Sequence, residues 1–173
     1  MALALSLRFD AETSAAVRRL WQELADAGIS SDMLDLGYPP HLTLLVMDDE
    51  QLAAMLAPAL ASLAPFAPPD LRLGEVDTFA RTDVVYLGVD GDLTGLRELH
   101  GRAAELVPEE SLRPYYRPPS WTPHVTLQTT GNAPHAVDLL RRCWEAGRAA
   151  VPTRLELATF VPVEVGEGID LPS

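Results

Sequence analysis

The 173-residue sequence has one cysteine and no long apolar run. The single cysteine, Cys143, excludes an intrachain disulfide and is compatible with a reducing cytoplasm, where we expect the protein. Because Cys143 adjoins Trp144 in a predicted helix, a buried packing role is favoured. No stretch approaches the ~20 apolar residues of a membrane span. Residues 1–8 lack the basic leader of a signal peptide, so no membrane partner is expected.

Basic residues are also scarce. The chain has 13 Lys and Arg against 25 Asp and Glu, which gives a net charge of −12. Proteins that hold long nucleic acid mainly by neutralising phosphates need a basic surface, so this composition disfavours such a partner. A cleft with its own basic lining can still bind a small anion, because the local field depends on the nearby groups.

The overall composition is that of a soluble globular protein, with 47% apolar and 22% charged residues. A chain of this length can bury roughly 70% of the surface that its unfolded form exposes. We therefore expect a single domain over residues 1–173 that folds without help from disulfides or metal ions.

A five-residue pattern occurs twice, as PHLTL at 40–44 and PHVTL at 123–127, and the two histidines are 124 − 41 = 83 residues apart. In a strand, side chains alternate between faces, so the histidine and threonine of each copy share one face and the apolar residues occupy the other. One such strand is common on solvated sheet faces. Two matched copies, each before a helical segment, favour a duplicated half-domain with a cleft between two walls.

The rest of the chain alternates predicted strands and helices. Apolar and period-two segments predict further strands at 2–9, 71–80, 84–89 and within 149–165. Apolar stripes with helical spacing predict helices at 11–27, 50–63, 93–107 and 133–147. Pro152 and Pro162 favour edge positions for the closing strands. Residues 30–40 are predicted as a loop, and 109–122 as an irregular segment of functional or mobile character.

The two motifs, their spacing and the order of elements resemble the two-histidine (2H) phosphoesterases, which include bacterial proteins named as 2′-5′ RNA ligases and cyclic nucleotide phosphodiesterases. The resemblance rests on HLTL at 41–44 and HVTL at 124–127 and extends over nearly the whole chain. It implies an α+β fold with two pseudo-symmetric lobes of antiparallel sheet, helices on the outer faces and a central cleft. The expected lobes are 1–89 and 90–173, with terminal strands able to exchange between them.

Two imidazoles that face one cleft suit acid–base cleavage of a phosphodiester, because an ordinary histidine pKa of about 6.5 lets one ring act as base and the other as acid. The resemblance implies that His41 and His124 are catalytic and that Thr43 and Thr126 bind the phosphate of a 2′,3′-cyclic or 2′-5′-linked substrate. It further implies that His124 activates water and that His41 protonates the departing ribose oxygen.

No cofactor or metal ion is expected. The acidic group Asp48-Asp49-Glu50 follows the first motif, but no histidine, cysteine or carboxylate spacing of a known metal site accompanies it. We therefore interpret it as the start of a helix.

Side chains near the motifs are candidates for binding the rest of a substrate, by stacking on a base or pairing with a phosphate. These candidates are Tyr38, Tyr115, Tyr116, Arg117 and Trp121. Ordinary loop packing is an equal alternative for each of them. Some members of the family carry a basic residue just after the second motif, where this chain has Gln128 and Thr129.

The expected partner is a small nucleotide or an RNA end, and a monomer is expected. The main alternative is a module of the same fold that binds a nucleotide or a protein partner without turnover. Joining of RNA ends is disfavoured by the acidic composition and by the lack of a nucleotide-activating lysine motif.

Overall fold

The computed structural model describes residues 1–172 and contains two four-stranded antiparallel sheets. Sheet A has the strand order β2-β1-β7-β8, and sheet B has the order β5-β4-β3-β6. The strands are β1 Ala2–Phe9, β2 His41–Met47, β3 Leu71–Thr78, β4 Val85–Asp90, β5 His124–Gln128, β6 Arg148–Ala150, β7 Pro152–Phe160 and β8 Glu164–Asp170. The predicted α+β class with two antiparallel sheets and a central cleft is confirmed.

Helices cover the sheets, and several differ from the prediction. They are α1 Ala11–Asp26, α2 Asp32–Asp35, α3 Ala53–Leu56, α4 Leu60–Leu63, α5 Thr94–Ala104 and α6 Ala133–Cys143. The predicted loop at 30–40 therefore contains α2. The predicted helix at 50–63 is instead a series of short α and 3₁₀ turns over 50–66, because Pro58 and Pro65 lack the backbone N–H that a continuous helix needs.

The two halves repeat one unit, and each unit reaches across to the other sheet. The order β1–α1–β2 recurs as β4–α5–β5. Helix α1 follows a strand of sheet A yet packs against β5 and α6, whereas α5 follows a strand of sheet B yet packs against β2. This exchange of helices joins the two sheets through one continuous apolar core.

The stripe predicted on α1 is confirmed, since Val17, Leu20, Trp21 and Leu24 are all buried. The helix begins after Asp10, whose side chain accepts a hydrogen bond from the Thr13 backbone N–H at 2.9 Å. That contact satisfies one of the unpaired donors of the first turn.

The C-terminal part of the chain departs most from the prediction. Strand β7 lies inside sheet A between β1 and β8, so its predicted edge position is wrong. Pro152 is tolerated because it is the first residue of that strand, and Pro162 lies in the turn before β8. Cys143 is exposed at the end of α6, so the predicted buried packing role is also wrong.

The strands before and after residue 89 contribute to both sheets, and the division into lobes 1–89 and 90–173 with exchanged terminal strands stays a prediction. Sheet A combines two strands from the start of the chain with two from its end, and sheet B takes residues from 71 to 150. Within residues 1–172, no helix is long and apolar enough to cross a membrane.

Candidate active site

The two motifs occupy the first residues of β2 and β5. Each of these strands is the edge of its sheet, and the two edges run beside each other with Cα atoms of the two strands within 8 Å. His41, Thr43, His124 and Thr126 are partly exposed, whereas the alternate leucines and valine are buried. The fold thus brings together four side chains that are up to 85 residues apart in sequence.

Both imidazoles are held in the same way. His41 Nδ1 lies 2.8 Å from the Pro39 carbonyl oxygen, and His124 Nδ1 lies 2.8 Å from the Thr122 carbonyl oxygen. A carbonyl oxygen only accepts, so each Nδ1 carries a hydrogen and donates it. The Nε2 atom of each neutral ring is then the free base, and once protonated it is a donor.

Aromatic rings surround each imidazole. The ring centroid of Tyr38 lies 4.7 Å from that of His41, in an edge contact. Around His124, the centroids of Phe79 and Tyr86 lie at 5.1 Å and 5.4 Å. Each imidazole is therefore in contact with at least one aromatic ring.

This burial changes the proton affinity of both rings. The pKa of His41 is lowered to about 4, mainly by burial and to a smaller extent by the charges of Arg8 and His124, against the opposing effects of the hydrogen bond to Pro39 and the charge of Glu156. Burial also lowers the pKa of His124. Both rings are therefore neutral at pH 7 when no anion lies beside them, and an anion bound between them would raise both pKa values.

Two tryptophans fix the motif strands through reciprocal hydrogen bonds. The Trp21 indole, on α1, donates to the Thr126 carbonyl at 3.1 Å, and the Trp121 indole donates to the Thr43 carbonyl at 3.1 Å. Trp121 precedes β5 but bonds β2, whereas Trp21 follows β1 but bonds β5. Each motif is thus held from the other half of the molecule.

A buried carboxylate lies on the sheet A side of the cleft. Glu156 on β7 is 3% exposed and accepts hydrogen bonds from Arg8 Nη1 at 2.9 Å, Tyr38 Oη at 2.8 Å and Arg154 Nε at 2.9 Å. Arg154 also bonds Asp170 at 2.7 Å. Because three donors surround Glu156, its charge is well paired despite its burial.

Two recesses differ in their relation to the motifs. A recess of about 260 Å³ adjoins the second motif and is lined in part by Tyr86, Thr122 and Pro123. A larger recess of about 500 Å³ lies between α1 and residues 143–148, and neither motif lines it.

The chain matches the sequence model of the 2′-5′ RNA ligase superfamily over residues 9–161. It belongs to that superfamily. The fold is similar to that of E. coli LigT, solved in complex with 3′-AMP, with a TM-score of 0.60 and 18% identity over 99% of this chain and 98% of LigT. It is also similar to TT0787 of Thermus thermophilus, with a TM-score of 0.64 and 19% identity over 99% and 98% of the two chains. No curated protein matches the chain.

Membership of the 2′-5′ RNA ligase superfamily confirms the family resemblance of the sequence and supports an activity of the phosphodiesterase type. At 18–19% identity the solved structures show the fold alone, so the roles of individual residues rest on the cleft of this chain.

Two of the candidate substrate-binding residues of this superfamily member are packing residues. Tyr38 is 1% exposed and Trp121 is 3% exposed. The Trp121 ring stacks on the buried His100 ring with centroids 4.0 Å apart. Neither aromatic ring offers a free face to a base, and both instead support the motif strands.

The other three candidates lie in the segment 109–122, which covers the free edge of β2. The Arg113 backbone N–H donates to the Val46 carbonyl at 2.9 Å, so this segment, which was predicted to be irregular, is hydrogen-bonded to β2. Tyr115 is 82% exposed, whereas Tyr116 and Arg117 are partly buried. Their roles in binding stay predictions.

Sequence reasoning missed the neighbours of the motifs on the adjoining strands. Arg8 pairs with His41 in the β1–β2 register, and Tyr86 pairs with Thr126 in the β4–β5 register. Directly paired residues share one face of a sheet, so these side chains belong to the cleft. The alternation of leucine with Ser6 and Arg8 in β1 could have indicated from the sequence that these two side chains lie on the polar face of the strand.

The positions after the second motif have structural contacts. Gln128 is buried and donates from Nε2 to the Asp83 carbonyl at 2.9 Å. Thr129 donates from its backbone N–H to the Asp32 carboxylate. Burial raises the pKa of that carboxyl, but hydrogen bonds from Thr129, Ser30 and Thr130 together hold it below its usual range.

The acidic group after the first motif is confirmed as a helix start. The Asp49 carboxylate accepts from the Gln51 backbone N–H at 2.9 Å, and Asp48 pairs with Arg113 at 2.6 Å. In the part of the chain that the structure describes, no three His, Cys, Asp or Glu side chains are grouped as metal ligands.

Proposed function

We propose that this protein is a phosphodiesterase that hydrolyses 2′,3′-cyclic phosphates or 2′-5′-linked nucleotide and RNA ends, without a metal ion, with His41 and His124 as the acid–base pair. The observation that carries the proposal is the matched anchoring of the two rings. Each Nδ1 donates to a carbonyl, which leaves each Nε2 free to accept or to donate a proton.

In the proposed reaction, one Nε2 removes a proton from water while the water oxygen attacks phosphorus. The bond from phosphorus to the ribose oxygen breaks on the opposite side, and the other Nε2–H protonates that oxygen. By the family resemblance, His124 is the base and His41 is the acid. The base gains one proton and the acid loses one, and proton exchange with solvent then returns both rings to their starting states.

The threonines suit the charge that develops on phosphorus. Thr43 and Thr126 each follow a histidine by two residues, about 6.6 Å along the strand and on the same face. Their hydroxyls can donate to the non-bridging oxygens, whose charge the transition state must accommodate. The bound phosphate also raises the low pKa of His41, which the acid role requires.

A small nucleotide is the proposed partner. LigT, whose fold this chain shares, has been solved with 3′-AMP, ATP, NADP⁺ and phosphate. A cytoplasmic monomer remains the expectation from the sequence.

The test is a substrate screen with purified protein. Candidate substrates are 2′,3′-cyclic mononucleotides, 2′-5′ dinucleotides and ADP-ribose 1″,2″-cyclic phosphate, with the product position assigned by phosphorus NMR. His41→Ala and His124→Ala should each lower turnover by about 10²–10⁴-fold with the fold intact. His135→Ala, at an exposed position in the first turn of α6, is the matched control.

Unchanged turnover in either motif variant would remove that histidine from the mechanism. Nucleotide binding without any product would favour a binding module of the same fold instead.

A further inference from the structure

The two walls of the cleft differ one strand away from the histidines. His41 is paired with Arg8, whereas the equivalent partner of His124 is Gly88. Next along sheet A comes Arg154, which is paired with Arg8 across β1 and β7. Since neighbouring strands are ~4.8 Å apart, the two guanidinium groups start from backbones about 5 Å and 10 Å from that of His41.

Arg8 has hydrogen-bonding capacity that the protein leaves unused. Its Nη1 donates to Glu156, and within residues 1–172 its Nη2 makes no hydrogen bond and is available to a ligand, whereas Nε also lacks a partner but is buried. The side chain is 21% exposed, and its pairing with His41 places it on the face of the sheet that lines the cleft. Its carbon lies 5.3 Å from the Tyr38 ring centroid, a contact that helps to hold it in place.

The positive charge on this wall is only partly balanced. Arg8 and Arg154 share the one buried carboxylate of Glu156, and the second partner of Arg154 is Asp170, which is mostly exposed and so screened by water. The charge of Arg8 also disfavours protonation of His41, in addition to the larger effect of burial. An anion bound at Arg8 would remove that effect.

The sheet B wall has the opposite charge. The recess beside the second motif is lined by the carboxylates of Glu75, Asp77 and Asp90, and Arg97 is the one cation among its lining residues. A phosphate group would be repelled there, because like charges that face one cleft raise its free energy.

We propose that Arg8 binds a second phosphate of the substrate, on the His41 side of the cleft, so that this protein acts preferentially on nucleotides that carry a phosphate besides the one it cleaves. The inference rests on the proposed function, because it concerns the other end of the same substrate. Arg154 lies one strand further out and extends the same basic wall. Guanidinium groups suit this task because their planar donors match phosphate oxygens in pairs.

Two substrates that differ only in the second phosphate test the proposal. They are adenosine 2′,3′-cyclic phosphate with a free 5′-hydroxyl and the same compound with a 5′-phosphate. We expect the wild-type protein to prefer the 5′-phosphorylated compound by about 10–100-fold in kcat/KM. Arg8→Gln should abolish the preference, so that its kcat/KM values for the two compounds lie within about twofold of each other. Arg142→Gln, at an exposed position on α6, should keep the preference.

Equal kcat/KM for the two compounds in the wild type, or a preference that survives in Arg8→Gln, overturns the proposal and leaves the proposed function intact. Hydrolysis of neither compound would refute the 2′,3′-cyclic phosphodiesterase part of the proposed function. In that case calorimetry with adenosine 3′-phosphate and adenosine 3′,5′-bisphosphate tests whether Arg8 binds a second phosphate. The bisphosphate should bind more tightly than the monophosphate, by the same factor, only when Arg8 is present. Should Arg8→Gln fail to fold, the double variant Arg8→Gln/Glu156→Gln removes the buried charge together with its partner and gives the same comparison.

Discussion

Replacing either tryptophan beside the motifs should damage catalysis more than it damages stability. Trp21→Phe and Trp121→Phe each remove one indole N–H from a motif carbonyl. Loss of the donor of a buried hydrogen bond costs about 1–3 kcal/mol, and the smaller ring adds about 1 kcal/mol. For a domain of this size the sum lowers Tm by roughly 5–15 °C. The total stability of a domain is about 5–15 kcal/mol, so either variant should still fold.

The effect on turnover follows from the position of the lost bonds. Strands β2 and β5 are edges of different sheets, so their relative position depends on contacts such as these indole bonds. A misplacement of reacting groups by about 1 Å costs about 10²-fold in rate. We therefore expect kcat for a 2′,3′-cyclic nucleotide to fall by about 10–100-fold in each variant, measured at least 20 °C below its Tm on the thermal unfolding curve.

Trp144→Phe is the matched control. The Trp144 indole also donates to a strand carbonyl, that of Gly74 at 2.8 Å, but on β3 and outside the motifs. It should lose stability without losing turnover. If all three variants keep the same kcat, or if all three lose it equally, the tryptophans do not position the motifs and the reasoning fails.

Three further outcomes are expected. The pKa of His41 is about 4 in the folded protein against about 6.5 when unfolded, so the free energy of unfolding should fall by about 3 kcal/mol as pH drops from 6.5 to 4. Urea unfolding of the wild type and of His41→Gln at several pH values measures this fall. The same dependence of the unfolding free energy on pH in both proteins would contradict the prediction. Thr43→Val and Thr126→Val should each lower kcat by about 10–100-fold while Tm stays nearly unchanged. Steady-state kinetics and calorimetry measure the two quantities, and a wild-type kcat in either variant would show that its hydroxyl does not stabilise the transition state. A diester with a 4-nitrophenolate leaving group should restore turnover to His41→Ala but not to His124→Ala; the reverse pattern would exchange the acid and base roles.

Local patterns predicted the faces of the motif strands but not the partners of those strands. Alternation within residues 41–44 and 124–127 is enough to place the histidine and threonine on one face. The pairing of β1 with β7 joins Leu5 to Leu157, and no short segment contains that information. Pro152 favoured an edge because proline cannot donate to a ladder, yet the first position of a central strand satisfies the same constraint.

The same limit explains which parts of the site were missed. Tyr38 looked like a stacking residue because it is close to the first motif in sequence. Its hydroxyl is instead buried against Glu156, which is 118 residues away along the chain. The alternation in β1 could have placed Arg8 on the polar face of that strand. Its proposed role in binding depends on its position beside His41, which only the strand pairing shows.

A repeated site of this kind has a physical consequence for how the substrate is oriented. The two motifs share the carbonyl bond to Nδ1 and the indole bond to a threonine carbonyl, so neither feature can distinguish the imidazoles. The strands beside them do differ, with Arg8 next to His41 and Gly88 next to His124. The charge of Arg8 opposes protonation of His41, and a substrate phosphate bound to Arg8 would offset that effect. The second phosphate would then both orient the substrate and supply the electrostatic condition under which His41 can act as an acid.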